Sequence, residues 1–122
     1  MNNFKKLIVW QRAREFVKDI YQITGKFPKE EMFGLTSQIR RATVSIALNI
    51  VEGSGRGTDK DFAHFLDIAF SSALEVEAQI ILSFDLEFIT NEESELLNLK
   101  IQEIQKMINK LTFSLRNKQS HV

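Results

Sequence analysis

The chain contains no cysteine, a single proline and five glycines in 122 residues. Without cysteine there is no disulfide, no thiolate nucleophile and no cysteine-ligated metal site. So little glycine and proline excludes a β-sandwich or barrel, whose many turns depend on both. No apolar run approaches the ~20 residues needed to span a bilayer, and the opening Met1-Asn2-Asn3-Phe4-Lys5-Lys6 lacks a signal-peptide core. The cytoplasm is therefore the expected compartment. Net charge is absent too, with 16 Lys/Arg against 16 Asp/Glu. What is present is ordinary globular material, 43% hydrophobic and 26% charged. It suffices for one domain, residues 1–122, burying roughly two-thirds of its unfolded surface.

Apolar spacing predicts four helices, at about 9–25, 35–52, 59–88 and 91–116. In the first, Trp10, Ala13, Val17, Ile20, Tyr21 and Thr24 follow helical period, and Gly25 stops it. The connection from Lys26 to Gly34 carries Phe27, Met32 and Phe33, too apolar for a free linker, and these are expected to plug one end of the core. Thr36 or Ser37 is placed to cap the second helix, and Gly53 to end it in a left-handed turn. Thr58 or Asp59 opens the third helix, with Asp61 complementing its dipole. Its stripe runs from Phe62 to Phe84 and on toward Phe88, while Ile68, Phe70, Leu74, Ile81, Leu82 and Leu86 occupy its other sides, so burial on more than one side is expected. Thr90-x-x-Glu93 has capping-box form. After it Leu97, Ile101, Ile104, Ile108, Leu111 and Leu115 alternate four and three residues apart, the seam of a bundle edge, and the tail Arg116 to Val122 is expected to fray. The predicted fold is all-α, an antiparallel up-down-up-down four-helix bundle.

The second helix has no ordinary solvent face. At about 100° per residue, Ile39, Ala42, Thr43, Ile46, Ile50 and Gly53 make one stripe, and Val44, Leu48 and Val51 make another nearly opposite. Between them runs a polar line of Gln38, Arg41, Ser45, Asn49 and Glu52. One stripe can serve the chain's own core. The other, Val44, Leu48 and Val51, is the candidate oligomer interface, with the polar line as the candidate device for register.

Catalytic constellations are missing. The turn Gly53-Ser54-Gly55-Arg56-Gly57 follows a helix instead of a strand, and no Gly-Lys-Ser/Thr ends it, so it reads as a helix stop more than as a phosphate loop. His64 has Asp61 and Asp67 at helical spacing, which is too few ligands for a metal, and His121 lies in the tail. No Glu-x-x-His pair suggests a di-iron bundle, and neither histidine has a serine and acid arrangement. No enzyme, cofactor, metal or small-molecule substrate is expected.

Charge is segregated. Residues 1–60 hold eleven Lys/Arg against six Asp/Glu, a balance of +5, and residues 61–122 hold five against ten, a balance of −5. Acidic and basic helices packing side by side would account for this. The alternative is a basic face for nucleic-acid backbone, with Arg12, Arg14, Lys18, Arg40, Arg56 and Lys60 as candidate contacts.

The stretch Phe27-Pro28-Lys29-Glu30-Glu31-Met32-Phe33-Gly34-Leu35-Thr36-Ser37-Gln38-Ile39-Arg40-Arg41-Ala42, continued by Ser45-Ile46, Asn49-Ile50 and Glu52 to Arg56, resembles the bacterial four-helix bundle proteins encoded in intervening sequences of 23S ribosomal RNA genes. Trp10-Gln11-Arg12-Ala13, Phe65-Leu66 and Glu75 extend the resemblance over roughly residues 7 to 112. It implies a small bundle assembling into a ring-like homopentamer, sometimes labelled ribosomal. A related branch, accessory proteins of diversity-generating retroelements, binds reverse transcriptase and nucleic acid through a basic surface. The zero net charge of this chain departs from that branch.

Overall fold

The computed structural model describes residues 3–120, so His121 lies outside the described residues. Four helices account for most of them: α1 (Ile8–Thr24), α2 (Leu35–Ser54), α3 (Asp59–Asp85) and α4 (Asn91–Ser120). Single 3-10 turns at Phe4–Lys6 and Lys29–Glu31 precede α1 and α2, and no strand occurs among the described residues. The helices pack in a closed cycle, α1 on α2, α2 on α3, α3 on α4 and α4 on α1, forming a four-helix bundle around one core. That core centres on Phe16, Ile20, Ile39, Ile46, Ile50, Leu66, Ile80, Ile101, Ile104 and Ile108, all essentially without solvent contact. Each such side chain contributes about 1.5–3 kcal/mol relative to exposure. Four buried hydroxyls are satisfied locally. Thr24, Thr43, Ser83 and Thr112 each donate to the carbonyl four residues back, at 2.6–2.8 Å.

Several local expectations meet different geometry. The stripe of α1 is rotated: Phe16 is its core residue, while Tyr21 is exposed and Val17 half-buried. Phe27 does plug the bundle end, its ring 5.3 Å from that of Phe88, but Phe33 is 95% exposed and Met32 is also exposed. Neither Thr36 nor Ser37 caps α2. Both lie inside the helix, and the carboxylate of Glu31, one turn upstream, accepts from the Leu35 N–H at 3.1 Å. Thr36 instead faces the interior, where its hydroxyl has no partner within the chain.

Gly53 takes no left-handed conformation. It is a buried residue of α2, which continues to Ser54. A Cβ built there would lie 2.8 Å from Phe65 Cβ and 2.9 Å from Phe62 Cδ1, so this glycine lets α2 and α3 approach. The left-handed residue is Glu87 at φ 64°, just beyond α3, which ends at Asp85 before the expected Phe88. The Phe88 N–H donates to Ser83 O and the Glu87 N–H to Phe84 O, each at 2.9 Å, which is a Schellman closure. The capping expectations for the other two helices hold. Thr58 Oγ1 accepts from Asp61 N–H at 3.1 Å. At α4, Thr90 N–H donates to Glu93 Oε1 at 2.9 Å while Glu93 N–H donates to Thr90 Oγ1 at 3.1 Å. Of the tail expected to fray, Arg116 to Ser120 continue α4, and His121 and Val122 lie outside the described residues.

Candidate assembly surface

The two stripes of α2 meet opposite fates. Ile39, Ala42, Thr43, Ile46, Ile50 and Gly53 are all buried within the chain. Leu48, on the other side, is 58% exposed, and Val44 and Val51 are only half-buried. Val44 and Leu48 form part of the floor of an open groove of about 480 Å³, which Tyr21 and Met32 extend with apolar surface. Arg40 and Arg41 also line it.

Arg40 is held in place from inside. Its Nε donates to Thr24 Oγ1 at 2.8 Å, its Nη2 to Tyr21 O at 3.5 Å, and its guanidinium lies 4.5 Å from the Tyr21 ring centroid. Arg41 is exposed and, among the described residues, has no ion-pair partner. It shares a small surface pocket with Gln38, Ala42 and Glu75.

The polar line divides into an inner and an outer part. Ser45 and Asn49 are half-buried and partnered within the chain: the Ser45 hydroxyl lies 3.0 Å from that of Ser72, and Asn49 Nδ2 donates to Ser45 O at 2.8 Å. Gln38, Arg41 and Glu52 are exposed, and Glu52 meets Arg56 at 3.8 Å. This line thus carries both an intramolecular seam to α3 and a row of outward polar groups.

Of the six cations suggested by the sequence, three are engaged within the chain. Arg12 pairs with Glu103 at 3.2 Å, Arg56 stacks 4.6 Å from the Phe65 ring, and Arg40 is engaged as described. Arg14, Lys18 and Lys60 have no ion-pair partner among the described residues. Arg14 and Lys18 share a groove of about 560 Å³ with Lys5, Trp10, Gln11 and Glu15, and Lys60 lies in the first turn of α3. Charge pairing between elements centres on α4: Lys100–Asp19 at 2.8 Å, Arg116–Asp67 at 2.6 Å and Lys118–Asp59 at 3.7 Å join it to other helices, and Lys26–Glu93 at 2.8 Å joins it to the α1–α2 connection. His64 is exposed beside Phe65, and among the described residues no group of three His, Cys, Asp or Glu is placed to hold a metal. Among the described residues no helix is long and apolar enough to cross a membrane.

A surface not anticipated as exposed lies on α3. Leu74, Ile81, Leu82 and Leu86 are all about half open to solvent. Their excess over one stripe is visible in the sequence, but periodicity does not reveal that α2 and α4 leave that side uncovered.

Comparison with known proteins agrees with this architecture. No curated protein matches the chain. A solved structure from Bacteroides thetaiotaomicron, described as a protein with unknown function from the S23 ribosomal protein family, superposes with a TM-score of 0.80 at 30% identity, covering 86% of this chain and 95% of that one. The sequence profile of the 23S rRNA-intervening sequence protein matches residues 5–110. With nearly the whole bundle inside that match, the chain belongs to the 23S rRNA-intervening sequence protein family.

Proposed function

We propose that this protein is a non-catalytic, cytoplasmic building block that assembles with copies of itself, as a ring-like homopentamer, and serves as a scaffold. The observation that carries the reading is Leu48, an exposed leucine on a helix whose other stripe already fills the core. Exposed apolar surface of this kind marks interaction sites. Val44, Leu48 and Val51 form the contact, and Gln38, Arg41 and Glu52 set its register. The antiparallel run of α3 and α4 that an up-down-up-down path requires is supported by bonds in opposite order along the two helices: Asp59 meets Lys118, Asp67 meets Arg116 and Glu77 meets Gln102. Light scattering tests assembly, with the expected mass a multiple of 14.1 kDa. Leu48→Glu should yield a folded monomer. A wild-type monomer at micromolar concentration would sink the proposal.

A second reading rests on the groove of Lys5, Trp10, Arg14 and Lys18, where three cations and one carboxylate, Glu15, which pairs with Arg12, surround an aromatic ring. It makes the assembly a weak binder of RNA or DNA backbone, as in an accessory protein for a retroelement reverse transcriptase. Repetition of the groove around an oligomer raises avidity without new contacts. Binding of an rRNA helix should then weaken by about 0.7–0.9 log units per contacted phosphate for each tenfold rise in salt. Arg14→Glu with Lys18→Glu should abolish it, and equal retention by the double variant would remove this reading.

A further inference from the structure

The outer side of α3 is apolar where a solvent-facing helix is normally polar. Leu74, Ala78, Ile81, Leu82 and Asp85 fall at i, i+4, i+7, i+8 and i+11, one continuous face. Leu74 is 47% exposed, and Ile81 and Leu82 are each 50% exposed. Around them the charge is of one sign. Asp85 and Glu87 have no cation partner among the described residues, Glu75 shares a surface pocket with Arg41 of its own chain, and residues 61–99 contain no Lys or Arg at all.

The groove on α2 is its complement. It is apolar through Tyr21, Met32, Val44 and Leu48, and its lining also includes Arg40 and Arg41. Its span along α2 from Thr36 to Leu48 is ~18 Å and that of the α3 face from Leu74 to Asp85 is ~16 Å, at about 1.5 Å per residue. One molecule cannot close one surface onto the other. The Ser45–Ser72 hydrogen bond and the close packing at Gly53 hold α2 and α3 side by side along a different seam. We propose that the α2 groove receives the acidic, apolar outer face of α3 from a second copy of this chain. This rests on the assembly reading above and adds the identity of the partner surface. Such a contact is heterologous: every copy offers a groove and a face, and the chain of contacts must close into a ring or continue as a filament. Like-with-like pairing of two grooves would set Arg41 against Arg41, whereas groove-on-face pairing sets arginines against carboxylates.

Mixing two disabled variants tests this. Leu48→Glu spoils the groove and Ile81→Glu spoils the face, with Leu74→Glu as a second face variant; circular dichroism and thermal melting verify that each is folded. Native mass spectrometry should find each variant alone at 14.1 kDa, against a larger wild type. An equimolar mixture of a groove variant with a face variant should form a one-to-one pair through the one intact groove and the one intact face. If Leu48→Glu dissociates while both face variants assemble like wild type, the pairing is overturned and the assembly reading survives. If variants of both kinds dissociate and the mixture stays monomeric, the head-to-tail pairing is likewise overturned. A monomeric wild type overturns both.

Discussion

A methyl group added at Gly53 has nowhere to go. Alanine gains about 1 kcal/mol over glycine from helix propensity. Against this stand contacts of 2.8 Å to Phe65 Cβ and 3.2 Å to the Phe62 carbonyl oxygen, atoms that no side-chain rotation removes. Overpacking of that kind costs about 1–3 kcal/mol. Gly53→Ala should therefore lower the urea midpoint, while Gly57→Ala, with nothing within 4 Å of the added carbon, should change it far less. A midpoint for Gly53→Ala at or above wild type would refute the close-approach explanation. Glu87 presents the opposite case, a side-chain-bearing residue at φ 64°. The left-handed region costs an L-residue about 1–2 kcal/mol, so Glu87→Gly should stabilise the protein by about 1 kcal/mol, after discounting the greater freedom of glycine in the unfolded chain.

Among the helices, α4 has the best-defined start and the clearest dependence on acid. The capping box of Thr90 and Glu93 is tied to the α1–α2 connection by Lys26 Nζ, 2.8 Å from Glu93 Oε2. The Lys26 hydrogen bond, followed by that from the Thr90 backbone, holds the Glu93 carboxyl below its ordinary value of 4.5. A depressed folded-state value means that the ionised form is favoured by folding. Its contribution is complete above pH 4.5 and is lost as pH falls below 4.5 through the folded-state value. Glu93→Gln should therefore lower stability at pH 7, and its difference from wild type should shrink toward pH 3, measured by urea unfolding at the two pH values. Thr90→Ala should cost about 1 kcal/mol at pH 7. This start was legible in the sequence because a capping box is local, with donor and acceptor three residues apart. The start of α2 was not. Glu31 reaches it only because the 3-10 turn at Lys29–Glu31 folds the connection back over Leu35.

For the molecule as a whole, assembly couples stability to concentration. An oligomer that forms only from folded chains makes Tm rise with protein concentration, whereas a monomer melts at one temperature. Differential scanning calorimetry over a hundredfold concentration range should show that rise for wild type and not for Leu48→Glu. Much of the candidate surface was readable in advance, since the second stripe Val44, Leu48 and Val51 follows from helical period alone. Its division into an exposed leucine and two half-buried valines was not, because it depends on how far α1 and α3 overhang α2. The candidate cations were legible as residues but their engagements were not: Arg12, Arg40 and Arg56 turn to partners distant or near in the chain.

By itself the amino-acid sequence determined the helical class, the number of helices, the core seam of α4 and the caps of α3 and α4, because each follows from hydrophobic period or from bonds spanning a few residues. Tertiary structure alone decided that Phe16 replaces Tyr21 in the core, that Gly53 is a contact point instead of a terminator, and that the far side of α3 is left bare. Those outcomes depend on which helix lies against which face and how closely. Such distances arise from packing all four helices at once, and no single helix encodes them.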